Sequence, residues 1–219
     1  GTMAAVGASA EQVAAALDAA GPGGHADVVL ANRNTPEQTV VSGPGPAIEA
    51  ATAILTAAGL SVRALPVACA FHSPVVAAAA ETLAAALETV DIGLPRLPVW
   101  SNTTAGRYPD SPGGIRALMA RQVAEPVRFA EQIEAMYAAG VRVFVEAGPG
   151  RALTGMVRTI LGDRPYTAVA CDVPGEEGVG RLLTALAELA VAGVPVDVAA
   201  LLAGRVSGAD VAPGPRPAW

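Results

Sequence analysis

Apolar and polar positions along this chain fall into two regimes. In the first, short apolar runs are separated by helical stretches. Thr2 to Ala8 reads as a short strand. Ser9 then precedes a helix carrying Glu11, Val13 and Leu17, since a serine oxygen can accept from an orphan first-turn amide. Asp27 to Ala31 and Gln38 to Val41 read as strands joined by a polar Asn/Thr/Pro turn. Pro46 to Ala58 reads as a helix closed by Gly59, and Ser61 to Ala70 as a final, mostly buried strand. The order strand, helix, strand, strand, helix, strand predicts a ferredoxin-like βαββαβ unit over residues 1–68.

From His72 the regime changes to helices alternating with strands. Ser73 to Thr89 predicts a helix with Val76, Leu83 and Leu87 on one face. Pro98 to Ser101 is a short strand, and Ile115 to Val123 and Arg128 to Ala139 are helices parted by Pro126. Val141 to Glu146 reads as a buried strand, Gly150 to Leu161 as a helix, Tyr166 to Cys171 as a strand and Glu177 to Ala192 as a helix. Such alternation predicts a parallel sheet covered by helices, so the fold class is α/β (α+β). Three strands are few for such a sheet, which implies that part of it comes from elsewhere. Residues 193–219 read as a packed linker and a loose tail.

Composition narrows the function. Of 219 residues, 52% are hydrophobic and 16% charged, enough for a sizeable core. No apolar run of about 18 residues is free of charge or proline, so no transmembrane helix is expected. No secretory signal is visible. The net charge is −6, and the fourteen basic residues, all arginine, are scattered, which argues against a nucleic-acid surface. The two cysteines, Cys69 and Cys171, lack metal-ligand spacing and read as buried free thiols of a reducing cytoplasm.

Candidate chemistry concentrates in Val67-Ala68-Cys69-Ala70-Phe71-His72-Ser73-Pro74. This places one of the chain's two histidines between a predicted strand and a predicted helix. Ser73 and Pro74 form an N-cap and a first-position proline. In open α/β sheets, ligands bind at the carboxyl ends of strands. A helix start beside His72 is expected to disfavour imidazolium and keep the ring neutral, as a base requires.

Cys69-Ala70-Phe71-His72 resembles the histidine motif of polyketide synthase acyltransferase domains, relatives of malonyl-CoA:acyl carrier protein transacylase. The other motifs follow in family order. Ala31-Asn32-Arg33-Asn34-Thr35-Pro36-Glu37-Gln38-Thr39-Val40-Val41-Ser42-Gly43 is similar to N-x-N-x-P-x-Q-x-V-x-S-G. Trp100-Ser101-Asn102-Thr103-Thr104-Ala105 resembles a later strand and turn, and Arg121-Gln122-Val123-Ala124-Glu125-Pro126-Val127 resembles R-Q-x-x-x-P-V. Val145-Glu146-Ala147-Gly148-Pro149-Gly150 resembles E-x-G-P-G. The sequence contains no G-x-S-x-G elbow, the strained turn that carries the family's serine.

The resemblance implies a malonyl-type acyltransferase of a type I polyketide synthase, and the Cys-Ala-Phe-His form with the Asn-Arg-Asn-Thr-Pro stretch suggests an iterative enediyne-type enzyme. It would move malonyl from CoA to the phosphopantetheine thiol of an acyl carrier protein. Residues 69–192 would be the carboxyl-terminal part of an α/β-hydrolase-like subdomain, and 193–219 a following linker. His72 would be the catalytic base of a Ser/His ping-pong reaction. Family members orient this histidine through the backbone around the glutamine, here Gln122. Phe71, Cys69, Asn32 and Asn34 would line the substrate approach, Phe71 selecting malonyl over branched units. No bound cofactor or metal is implied. The expected partners are the carrier protein and the half bearing the G-H-S-x-G serine and the malonyl-pairing arginine. Two alternatives remain: a non-catalytic module that docks carrier protein, and a hydrolase using Ser42 or Ser73.

Overall fold

Pro66 explains the first difference between the expected and observed elements. In a computed structural model of the chain, which describes residues 1–21, 23 and 25–204, the strand expected over Ser61 to Ala70 pairs only through Val62–Ala64. The Leu65 amide still donates to the Met3 carbonyl at 3.0 Å, but Pro66, its φ fixed at about −65°, centres a turn in which the Val67 amide donates back to the Leu65 carbonyl at 2.8 Å, and the ladder ends there. The following residues, to Ser73, run without regular structure. Cys69 and Cys171 are both half-exposed free thiols rather than buried ones.

The first regime is otherwise as expected. The elements are β1 (Thr2–Val6), α1 (Ala10–Ala19), β2 (Val29–Thr35), β3 (Gln38–Gly43), α2 (Gly45–Ala57) and β4 (Val62–Ala64). The sheet order is β2-β3-β1-β4 with every pair antiparallel, the ferredoxin-like arrangement. Ser9 caps α1 reciprocally. Its oxygen accepts from the Gln12 amide, while Gln12 Oε1 accepts from the Ser9 amide. Both helices pack on one face of the sheet, around Val6, Val13, Leu17, Val41, Ile48 and Leu55.

The chain continues through a 3-10 turn at Pro74–Val76 into α3 (Ala77–Leu87). There follow β5 (Trp100–Ser101), β6 (Gly106–Arg107), α4 (Pro112–Arg121) and α5 (Phe129–Ala138). Next come β7 (Val143–Glu146), α6 (Ala152–Leu161), β8 (Thr167–Ala170), α7 (Gly178–Val191) and α8 (Val198–Leu202). The three expected sheet strands do not all join. β5 turns back into a hairpin with β6 through a turn in which Ala105 has φ +52°, while β7 pairs with β8. Thr167 donates to the Arg142 carbonyl and Cys171 to that of Glu146, the even offset of a parallel pair. β7 was expected to be buried, yet Val145 is exposed and its neighbours only half-buried. α8 lies within the stretch 193–219 expected to be linker and tail, of which residues 205–219 fall outside the described residues.

By internal contacts the chain forms two compact units. One comprises Gly1–Phe144 with Ala152–Ala168; the other comprises Val145–Arg151 and the described residues from Val169 on. The first contains a second core, with Ile133 of α5 against Val157, Ile160 and Leu161 of α6. Beside it, Arg164 makes a bidentate pair with Glu134 at 2.7 Å through each nitrogen, and its guanidinium lies 4.9 Å from the Tyr137 ring centre. In the second unit, Glu177 caps α7 and Arg181 donates to the Ala170 carbonyl and to Glu188.

The Arg164 hydrogen bond holds the Glu134 carboxyl below its usual value of 4.5. A carboxylate depressed by folding adds stability above its unfolded value, and that share is lost as pH falls through the folded one. Glu134→Gln is therefore expected to flatten the stability-versus-pH curve below about pH 4.5 and leave its shape near pH 7 unchanged. Urea titrations at a series of pH values check this. Parallel curves for both proteins would show that the pair does not titrate with folding.

Candidate active site

The end of α4 builds the site. The last turn of a helix leaves its carbonyls without intrahelical partners. Here Arg121 is the last helical residue and Gln122 its cap. The His72 amide donates to the Val123 carbonyl at 3.3 Å. The His72 ring meets two more carbonyls: Nδ1 lies 3.2 Å from the Gln122 oxygen and 3.0 Å from the Glu125 oxygen. A carbonyl can only accept, so Nδ1 carries the proton and Nε2 keeps its lone pair. Backbone alone thus selects the tautomer that a general base needs.

The same segment is stitched to the ferredoxin-like sheet. Val127 bridges β2 in parallel: Arg33 donates to its carbonyl at 2.8 Å, and its amide donates to Ala31 at 2.8 Å. One residue later, the Arg128 amide donates to the Asn102 carbonyl at 2.8 Å. Glu131 Oε1 lies 3.1 Å from Arg33 and 3.4 Å from Arg128, tying α5 to β2. The R-Q-x-x-x-P-V segment therefore grips the histidine at one end and the sheet at the other.

His72 itself has φ +56°, the left-handed region that L residues rarely enter. The helix-start expectation does not hold. Only a 3-10 turn follows Ser73, and the α-helix begins at Ala77, so the nearest α-helical terminus at the ring is the carbonyl end of α4.

The other expected residues divide. Gln122 meets the ring through its carbonyl, while its side chain is exposed. Phe71, next to His72, is 46% exposed. Cys69 is half-exposed in the same irregular segment. Asn32 is half-buried in β2, opposite Val127. Asn34 instead spans the β2–β3 hairpin, its amide donating to Gln38 Oε1 at 2.9 Å. Glu125 was not expected to act, and its role as acceptor has no sequence signal, because every residue has a carbonyl. Ser42 and Ser73 are each 0% exposed, which removes both as accessible nucleophiles. Among the described residues no cluster of His, Cys, Asp or Glu could hold a metal ion, and no helix is long and apolar enough to cross a membrane.

The family model for the acyl transferase domain matches residues 1–196. The chain is 38% identical over 138 residues to a malonyl CoA-acyl carrier protein transacylase of Haemophilus influenzae, covering 62% of this chain and 44% of that protein. The acyltransferase domain from the second module of the salinomycin polyketide synthase superimposes with a TM-score of 0.82 at 32% identity. That match covers 97% of this chain and 49% of the other. A malonyl-transacylase solved in complex with its type II polyketide synthase acyl-carrier protein gives a TM-score of 0.74 at 31% identity, covering 84% and 57%. The chain thus spans about half the length of these relatives. With a histidine held by backbone carbonyls in a ferredoxin-like and α/β framework, and a family match over most of its length, the chain belongs to the acyl transferase domain family.

Proposed function

We propose that this chain provides the histidine half of a malonyl-type acyltransferase of a polyketide synthase. The observation that carries the reading is the ring of His72, protonated at Nδ1 by geometry and free at Nε2. In the reaction, a serine oxygen attacks the malonyl thioester as Nε2 takes its proton, and the proton leaves with the CoA thiol. Nε2 then takes the proton of the carrier protein's phosphopantetheine thiol, which attacks the acyl-serine and releases the serine oxygen to recover that proton. The serine comes from a G-H-S-x-G half that this sequence does not contain.

Exposed apolar side chains support packing against such a partner. They include Val90, Leu94, Leu97 and Val99 before β5, and Val179, Leu182, Leu183 and Val191 on α7. A helix apolar on nearly all sides is ordinarily covered. The solved complex of a related transacylase supports carrier protein as the acceptor. Phe71 beside the base supports choice of malonyl, since a ring there crowds an α-methyl branch.

Intact-mass spectrometry tests the reading. The chain, combined with a nucleophile-bearing half, is incubated with malonyl-CoA and then with carrier protein. A malonyl adduct on the other half that passes to the carrier protein is expected; no adduct on either piece would leave a docking module as the better reading. Phe71→Ser is expected to raise methylmalonyl loading relative to malonyl by about 10–200-fold, the worth of one methyl group in a pocket. An unchanged ratio would remove Phe71 from selectivity.

A further inference from the structure

The hydroxyl of Ser73 is 0% exposed and both of its capacities are used. It donates to the Ala70 carbonyl at 2.7 Å and accepts from the Val75 amide at 3.3 Å. The first bond closes a loop around Phe71 and His72. Ala70, at its base, is itself 0% exposed and packed against Gly1, where an added Cβ would collide with it. The loop therefore has a fixed floor. His72, inside it, is one of two described non-glycine residues with positive φ. The other, Ala105, lies in the β5–β6 hairpin turn. A left-handed residue persists only where its surroundings over-determine it. On one side of His72 those surroundings are the α4 carbonyls; on the other, the Ser73 hydroxyl.

We infer that Ser73 is a positioning residue for the transfer reaction: by tying its hydroxyl to Ala70 it holds His72 left-handed, so that Nδ1 reaches the Gln122 and Glu125 carbonyls and Nε2 stays free. The catalytic sense of this inference rests on the acyltransferase reading; the geometry does not. Ser73 is the residue after the base, and its burial excludes contact with substrate. It acts through the backbone of its neighbour. Without the hydroxyl, the loop loses the bond that spans it, His72 relaxes toward ordinary φ, and the ring swings away from its acceptors.

Ring-nitrogen NMR on the 219-residue chain tests this without turnover. Long-range proton–nitrogen correlations read which nitrogen of neutral His72 is protonated, with His25 as internal control. The expected result is an Nδ1–H form in the wild type and a swing toward Nε2–H in Ser73→Ala. Ser73→Cys keeps the volume with a much weaker donor and should fall between. If circular dichroism shows that Ser73→Ala does not fold, Ser73→Cys is read in its place. Retention of the Nδ1–H form in a folded variant overturns the inference. In a complete acyltransferase domain carrying the same change, kcat should fall about ten- to a hundredfold with KM for the thioester unchanged, the cost of a small misplacement of a reacting group. A loss in KM alone, or none, also overturns it. A wild-type domain with no transfer at all would defeat the acyltransferase reading, while the ring equilibrium would still decide the geometry.

Discussion

His72→Ala, placed in a complete acyltransferase domain, should lower acyl transfer by about a hundred- to ten-thousandfold, the range a positioned base contributes. The loss should appear in kcat for both half-reactions, because Nε2 takes the serine proton in one and the thiol proton in the other. Binding of the thioester should be nearly unchanged, since the ring is proposed to act on protons in transfer and not to hold the thioester. Single-turnover loading from malonyl-CoA and transfer to carrier protein, measured separately, check this. A variant impaired in only one half-reaction would show that another group serves the second. A variant as fast as wild type would end the assignment of His72 as the base. The substitution should leave the fold intact. The two carbonyls released at the end of α4, those of Gln122 and Glu125, belong to exposed or half-exposed residues and can turn to water, while the amide of residue 72 keeps its bond to Val123.

Leu55→Ala should cost the fold about 2–5 kcal/mol. Leu55 is 0% exposed on α2, in the cluster that joins both helices to the ferredoxin-like sheet. The neighbours that would have to collapse into the space include Val6, Val13 and Val41, all fully buried and short, which favours a retained cavity. Against a total stability of about 5–15 kcal/mol that is a large fraction. Urea midpoints read it directly. Leu183→Ala, at an exposed position on α7, serves as control and should stay within about 0.5 kcal/mol. Equal effects at the two sites would mean that the sheet-and-helix layer is not the stabilising core of this chain.

Much of the framework was legible because it is written locally. Ser9 and Gln12 announce the start of α1, and alternation in β3 separates its two faces, Val41 toward the helices and Val40 away from them. Over-reading occurred where an apolar run lacked a partner strand. Leu65 to Ala70 is apolar like a strand, and Pro66, the residue that forbids it, was present in the sequence. The parallel sheet was over-counted for a related reason: β5 is two residues long, and Ala105 at positive φ turns it into a hairpin. Of the site, the histidine and the glutamine were legible through family motifs. The Glu125 carbonyl and the Arg33–Glu131 pair were not. The first has no side-chain signature, and the second joins positions 98 residues apart.

The grip on His72 has a consequence for how such a site reads out in mutagenesis. Every acceptor around its ring and amide is a peptide oxygen, so no side-chain replacement at residues 122, 123 or 125 deletes one. An alanine scan would pass over these positions as silent, although the tautomer of the ring depends on them. What is held constant here is the path of the chain, and its chemistry can persist while the letters that spell it drift.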